Sequence, residues 1–128
     1  MAAFTVDGVS YQVFVPEDGI KRSGQVLDGS NVGRTPSGVM IRDIIGTYYN
    51  YTIQMDASAL SPEEYDTLYE VLSAPVSSHT VTVPYGQGTL TFQAYVTSAE
   101  DVLRTMADGV NRWHGLEVNF IAMKPQRR

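Results

Sequence analysis

The stretch Thr47-Tyr48-Tyr49-Asn50-Tyr51-Thr52-Ile53-Gln54-Met55 decides the fold class. Tyr49, Tyr51, Ile53 and Met55 recur at every second residue, with Tyr48, Asn50, Thr52 and Gln54 between them. Successive side chains of a strand point to opposite faces, so a period of two makes one apolar face for a core and one polar face. The same period returns twice. His79, Val81 and Val83 alternate with Thr80 and Thr82, and Leu90, Phe92, Ala94 and Val96 alternate after Pro84-Tyr85-Gly86-Gln87-Gly88, which predicts a hairpin. Leu116, Val118, Phe120 and Ala122 oppose Glu117 and Asn119, which predicts a last strand from about Leu116 to Met123 and a structured chain almost to Pro125.

Between these strands the period changes once. Tyr65, Leu68, Tyr69 and Leu72 fall at i, i+3, i+4 and i+7, one stripe of a helix from about Pro62 to Ser73. Its start is signed by Ser61 and Glu64 in capping-box spacing and by Pro62 at the first helical position, where no amide partner is needed. Leu60 and Tyr65 are placed as a hydrophobic staple, the acids Glu63, Glu64 and Asp66 complement the positive end of the helix dipole, and Pro75 forbids much continuation.

Toward the N-terminus, Thr5-Val6 and Tyr11 to Val15 flank the turn pair Asp7-Gly8. Residues 16 to 38 hold five glycines, two prolines and only the short apolar pieces Ile20 and Val26-Leu27. A segment of that length without periodicity reads as an extended loop that either orders against a partner or stays mobile. Val39 to Ile45 is apolar again, and Gly46 marks a bulge or bend before the tyrosine-rich strand. A second short helix is expected from Glu100 to Met106, ending near Gly109. One helix with six or seven strands in this order gives a single domain over residues 1 to 128: an antiparallel β-sandwich or partly open barrel with the helix against one side.

Composition narrows function by exclusion. At 128 residues with 43% hydrophobic and 18% charged residues, the chain can build its own core, and it contains no apolar run of about 20 residues that would span a bilayer. The N-terminus has no basic region followed by an apolar run, so a cytoplasmic site of folding is expected. Without cysteine there is neither a disulfide framework nor a thiolate nucleophile. The net charge of −5 opposes the basic footprint of a duplex-binding protein, and the cationic tail of Lys124, Arg127 and Arg128 reads as a solvated terminus.

Catalytic patterns find no support. His79 and His114 stand 35 residues apart with no ligand at zinc-motif spacing, and His79 fits a hydrogen-bonded histidine at a strand start. No Gly-x-Ser-x-Gly elbow, no phosphate-binding glycine loop and no unexplained carboxylate pair occurs, since Glu63-Glu64 belongs to the helix start. A Ser-His-Asp set assembles in space rather than in order, so sequence leaves it open while nothing favours it. The expectation is therefore no enzyme, no cofactor and no metal. Tyr48, on the face opposite the core, suits either a protein contact or cross-strand packing within the subunit.

Beyond this point the later two-thirds resembles a family of small tail-module proteins from phages and prophages of Gram-positive bacteria. The residues that carry the resemblance are Arg42-Asp43-Ile44-Ile45-Gly46-Thr47-Tyr48-Tyr49-Asn50-Tyr51, Tyr65 to Pro75, His79-Thr80-Val81-Thr82-Val83-Pro84, Phe92-Gln93-Ala94-Tyr95-Val96 and Trp113-x-Gly115-Leu116-x-Val118-x-Phe120-Ile121-Ala122-x-x-Pro125, with Asp7-Gly8-Val9-x-Tyr11 agreeing. What the resemblance implies is a virion structural protein of the tail, made in the host bacterial cytoplasm, with a fold similar to tail-tube and distal-tail proteins. It implies a homo-oligomeric ring, a hexameric ring among the options, that meets neighbouring tail proteins, touches no membrane and lets DNA pass through an acidic lumen without sequence-specific binding. Ile20, Val26, Leu27, Asn31, Val32, Arg34 and Tyr48 are the interface candidates on this reading. The alternatives from other classes are a tail-tip adhesin whose tyrosines stack on a host-surface ligand, and a small wall-degrading hydrolase.

Overall fold

Alternation becomes strand at each place where it was strongest. The computed structural model describes residues 4–29 and 33–127. In chain order these form β1 (Thr5–Val6), β2 (Val9–Ser10), β3 (Ile20–Asp28), β4 (Gly33–Arg34), β5 (Met40–Ile41), β6 (Ile44–Met55), α1 (Pro62–Leu72), β7 (His79–Tyr85), β8 (Gly88–Ala107) and β9 (Val110–Ala122). Seven strands make one sheet in the order β2-β1-β7-β8-β9-β6-β3, antiparallel at every pairing, and β4 with β5 forms a separate two-stranded ribbon.

The sheet is curled. β7 and β6 are separated by two strands, which at the usual spacing of roughly 4.8 Å would hold them about 14 Å apart in a flat sheet. Instead Tyr51 of β6 donates its hydroxyl to the Pro84 carbonyl of β7 at 2.8 Å, and the Tyr49 and Tyr85 rings meet edge to face at 5.1 Å. Arg22 of β3 lies over the Tyr85 ring, 5.1 Å from its centre. The two halves thus approach through side chains while β2 and β3 remain the edges, so the architecture is mainly β, antiparallel, open and flanked by one helix.

The concave face holds the core. Tyr51, Ile53 and Met55 of β6, Leu116, Val118 and Phe120 of β9, and Val81 and Val83 of β7 are all buried, together with Phe4 and Val6. Leu68 and Leu72 of α1, fully covered, close that core from one side. The capping box at Ser61 and Glu64 is formed in both directions, at 3.2 and 3.1 Å. Two further bonds dock the helix on the sheet: Tyr65 donates to Asp101 at 2.8 Å and Tyr69 to the Ala99 carbonyl at 3.0 Å. Burial, then the carboxylate beside it, raises the Tyr65 phenol well above its ordinary pKa, which keeps it the donor.

Four local expectations are corrected. Glu100 to Met106 is not helical but the outer part of β8, because Asp108 (φ 56°) and Gly109 (φ 72°) make a tight two-residue turn that returns the chain as β9. Pairing with β9 overrides the weak helical signal. Tyr11 to Val15 carries no continuous strand; the partner of β1 across Asp7-Gly8 is Val9–Ser10, and Phe14 makes only a lone bridge to Asp56. The long loop of residues 16 to 38 contains β3, nine residues paired with β6. Its pattern was hidden because an edge strand with one wet face needs no apolar alternation, and Gly24 is covered by the Tyr49 ring, whose Cε1 lies 3.3 Å from where a Cβ would stand.

The cationic tail was expected to be a solvated terminus; the Lys124 and Arg127 side chains are indeed exposed, but the backbone is docked as far as Arg127, the last described residue. Thr47 donates its amide to the Arg127 carbonyl at 2.7 Å, and Gln126 exchanges two side-chain bonds with the Tyr49 backbone, each 2.9 Å. The tail thereby takes the place of a strand where β9 no longer pairs with β6. Gly46 makes room for it: a Cβ there would fall 2.6 Å from the Arg127 carbonyl and 2.7 Å from Pro125 Cβ. The bulge expected at Gly46 is present, since the register slips by one residue between Leu27 and Asp28 opposite Gly46 and Ile44.

Candidate functional site

One titratable pair stands out by its burial. The His79 ring is 4% exposed, and its Nδ1 lies 2.8 Å from Asp7 Oδ2, while Asp7 Oδ1 accepts the Thr80 amide at 3.0 Å. The bond from His79 is the main cause that lowers the Asp7 pKa below the usual carboxylate value. The neighbouring hydroxyl, Ser78, donates to Gln93 instead and completes no nucleophile arrangement. The pair locks the β1–β2 turn, in which Asp7 has φ 52°, onto β7. Among the described residues no cluster of three or more His, Asp or Glu side chains is gathered to hold a metal ion.

The larger anomaly is apolar surface. β3 and β6 leave the sheet together as a two-stranded arm that continues into the β4–β5 ribbon. Val26, Leu27, Val39, Met40, Ile41, Ile44 and Ile45 on this arm are 43 to 59% exposed. Consecutive residues of a regular strand face opposite ways, so Val26-Leu27 on β3 and Met40-Ile41 on β5 make both faces of the arm apolar. Such a ribbon is marginal in water by itself. Local polar contacts shape it: Arg42 makes a two-pronged bond to Asp28 at 3.0 and 2.9 Å, and Arg34 donates to the Gly38 carbonyl at 3.0 Å.

The seven interface candidates separate on this frame. Val26 and Leu27 lie on β3 at the root of the arm and are exposed, and Arg34 sits exposed on β4. Ile20 and Tyr48 are half-buried and pack against the core, so the body of the subunit accounts for their side chains. Asn31 and Val32 lie outside the described residues. Met40, Ile41, Ile44 and Ile45 were not among the candidates; the apolar run of residues 39–45 without a two-residue period was the one signal in the sequence.

A second protrusion is the outer half of the β8–β9 hairpin. Leu116 pairs with Met55, the last residue of β6, so Val110–Gly115 and the facing part of β8 run beyond the sheet. Register slips between Val96 and Ala99, between Glu100 and Val102, and between Leu103 and Thr105 bend this hairpin. At the first, Asn119 Oδ1 accepts both freed amides, Thr97 at 3.1 Å and Ser98 at 3.0 Å; at the second, Gly115 takes φ 68°. Val102, Met106 and Trp113 remain 59, 73 and 39% exposed.

Below this hairpin end lies an open cleft of about 840 Å³, walled by residues 111–117 on one side and by the connection from β6 to α1 on the other. Trp113 stands in its wall with Arg104, His114, Asp56, Asp66 and Glu117. Asp56 is held below the usual carboxylate range, chiefly by its bonds from Ser58 and then by Arg104 and His114. No protein-family model matches the chain, and no curated protein is similar to it. No helix among the described residues is long and apolar enough to cross a membrane.

Proposed function

We propose that this chain is a structural subunit of a phage or prophage tail that works by self-association, assembling into a ring through its arm and its strand edges. One observation carries the reading: the β3–β6 arm exposes aliphatic side chains on both faces, with Met40, Ile41, Ile44 and Ile45 between 43 and 58% exposed. Monomeric proteins rarely keep contiguous apolar patches of this kind, and an uncovered patch marks a protein contact. The free edge of β3 adds backbone donors and acceptors that a neighbour can pair. The tail assignment itself rests on the resemblance of residues 42–125, and the acidic balance of −5 suits a ring through which DNA slides without sticking.

The test is the mass of the full chain in solution by size-exclusion chromatography with light scattering, followed by location of the chain in a particle image. A defined multiple of the 14.1 kDa subunit is expected. A chain that stays monomeric at high concentration would overturn self-assembly. The adhesin reading has the Trp113 cleft in its favour, since an exposed indole amid polar side chains is a platform for a sugar ring. Specific glycan binding by a monomeric chain would support it over the ring.

A further inference from the structure

The cleft at the β8–β9 hairpin end has a lining that self-association does not explain. Its walls carry charges of both signs, Asp56, Asp66 and Glu117 with Arg104, Arg112 and His114. None of the six is in an ion pair, since the two ion pairs among the described residues, Arg42 with Asp28 and His79 with Asp7, lie elsewhere. Local irregularities of the backbone place part of this set. Leu103 pairs with Trp113 and Thr105 with Arg112, so Arg104 is the extra residue of a bulge and is turned out of the ladder into the cleft wall. On the facing wall the Asp56 backbone exchanges bonds with Phe14 at 2.8 and 2.6 Å, and its carboxylate accepts the Ser58 amide at 2.9 Å. Trp113, the chain's one tryptophan, lines the same space and is 39% exposed.

We propose that this cleft binds an uncharged oligosaccharide, one ring stacked on the Trp113 indole and its hydroxyls shared among the charged side chains. The inference rests on the sugar-platform reading above, to which it adds the ligand class and the roles of the walls, and it holds whether or not copies associate. Charge separates the ligand classes. An anion drawn to Arg104, Arg112 and His114 meets Asp56, Asp66 and Glu117 in the same space, and a cation meets the reverse. An apolar segment strips water from charged groups and gives them no partner in return. A sugar hydroxyl both donates and accepts, so it uses carboxylates and guanidiniums together, and bonds to ionised groups are the stronger kind. The C–H face of a pyranose is apolar and flat, which matches a single exposed indole set among polar groups. The size also fits: about 840 Å³ lies inside the range of roughly 300–1,000 Å³ usual for small-ligand pockets.

Because Trp113 is the only tryptophan, its fluorescence reports on the cleft directly. The full-length chain is screened on an array printed with neutral, carboxylated and phosphorylated oligosaccharides, and the strongest ligand is then titrated while the emission is followed. A neutral oligosaccharide is expected to bind, to shift the emission and to shield the indole from iodide, with the same affinity at low and high salt. Measured by calorimetry, Trp113→Ala should weaken binding about tenfold or more, and Trp113→Tyr, which keeps a ring, should recover part of the loss. Trp113 and Arg104 are exposed, and far-ultraviolet circular dichroism checks that Trp113→Ala, Trp113→Tyr and Arg104→Ala fold. Arg104→Ala should weaken binding without abolishing it. A neutral glycan that leaves the emission unchanged, or binds Trp113→Ala as well as the unaltered chain, would overturn the cleft assignment while glycan recognition stands. Binding of carboxylated or phosphorylated glycans alone would overturn the uncharged class. Binding of no printed glycan would overturn both this inference and the sugar-platform reading, and would leave self-assembly untouched.

Discussion

β6 is one strand with two fates. Tyr51, Ile53 and Met55 at its C-terminal half are at most 3% exposed, whereas Ile44 and Ile45 at its start are 58 and 45% exposed, although all five belong to the same class of large apolar residue. The difference is in what lies across the sheet. The inner half is flanked by β9 and faces the common core that α1 helps to close, and the outer half is flanked only by β3 and, from Thr47, by the tail. Side-chain chemistry therefore says that a surface wants cover, and topology says whether the subunit supplies that cover itself. The body of the domain is self-sufficient, and the arm and hairpin end are not.

If that division is right, substitutions in the two regions fail in different assays. Leu68→Ala removes a fully buried side chain beneath the helix and should cost about 2 to 5 kcal/mol in chemical denaturation, the largest stability loss expected here. Gly46→Ala tests the boundary between the regions. The added Cβ collides with backbone of the docked tail, so a loss of about 1 to 3 kcal/mol is expected. Deletion of residues 125–128 in the same background should remove most of the difference, since the clash disappears with its partner.

Asp7→Ala strands the buried His79 ring and should cost about 1 to 3 kcal/mol, while Asp7→Asn, which still bonds and tolerates positive φ, should cost clearly less. The same carboxylate gives a pH signature. Its folded pKa is lowered, so its contribution is complete above the unfolded value of about 3.9 and is lost as pH falls through the lower folded value. Acid titration of stability should therefore be shallower in Asp7→Asn than in the unaltered chain. Its side chain is 47% exposed, so solvent screening keeps this effect small.

At the smaller end, Ser61→Ala should cost about 1 kcal/mol through the lost cap. Charging the arm at Val26 or Leu27 should change folding stability by less than about 0.5 kcal/mol, the usual range for exposed sites, and should instead impair association measured by light scattering. Equal behaviour of Leu68 and Val26 variants in both assays would dissolve the distinction between body and arm.

Much of the fold is legible in the residues themselves. Local physics sets the helix at Ser61-Pro62 through its cap and stripe, the β7–β8 hairpin through its alternation and its glycine turn, and the inward side of Tyr51, Ile53, Met55, Leu116, Val118 and Phe120 through a period of two. These signals survive because each needs only neighbours in the chain. What only the tertiary structure decided depends on partners far away in sequence. Ile20–Asp28 is a strand because β6 offers it an edge, Glu100–Met106 is a strand because β9 returns beside it, and residues 125–127 are ordered because Gly46 leaves them a place. The arm and the cleft belong to this second kind, since whether an isoleucine is covered is a property of the sheet around it and not of the residues beside it.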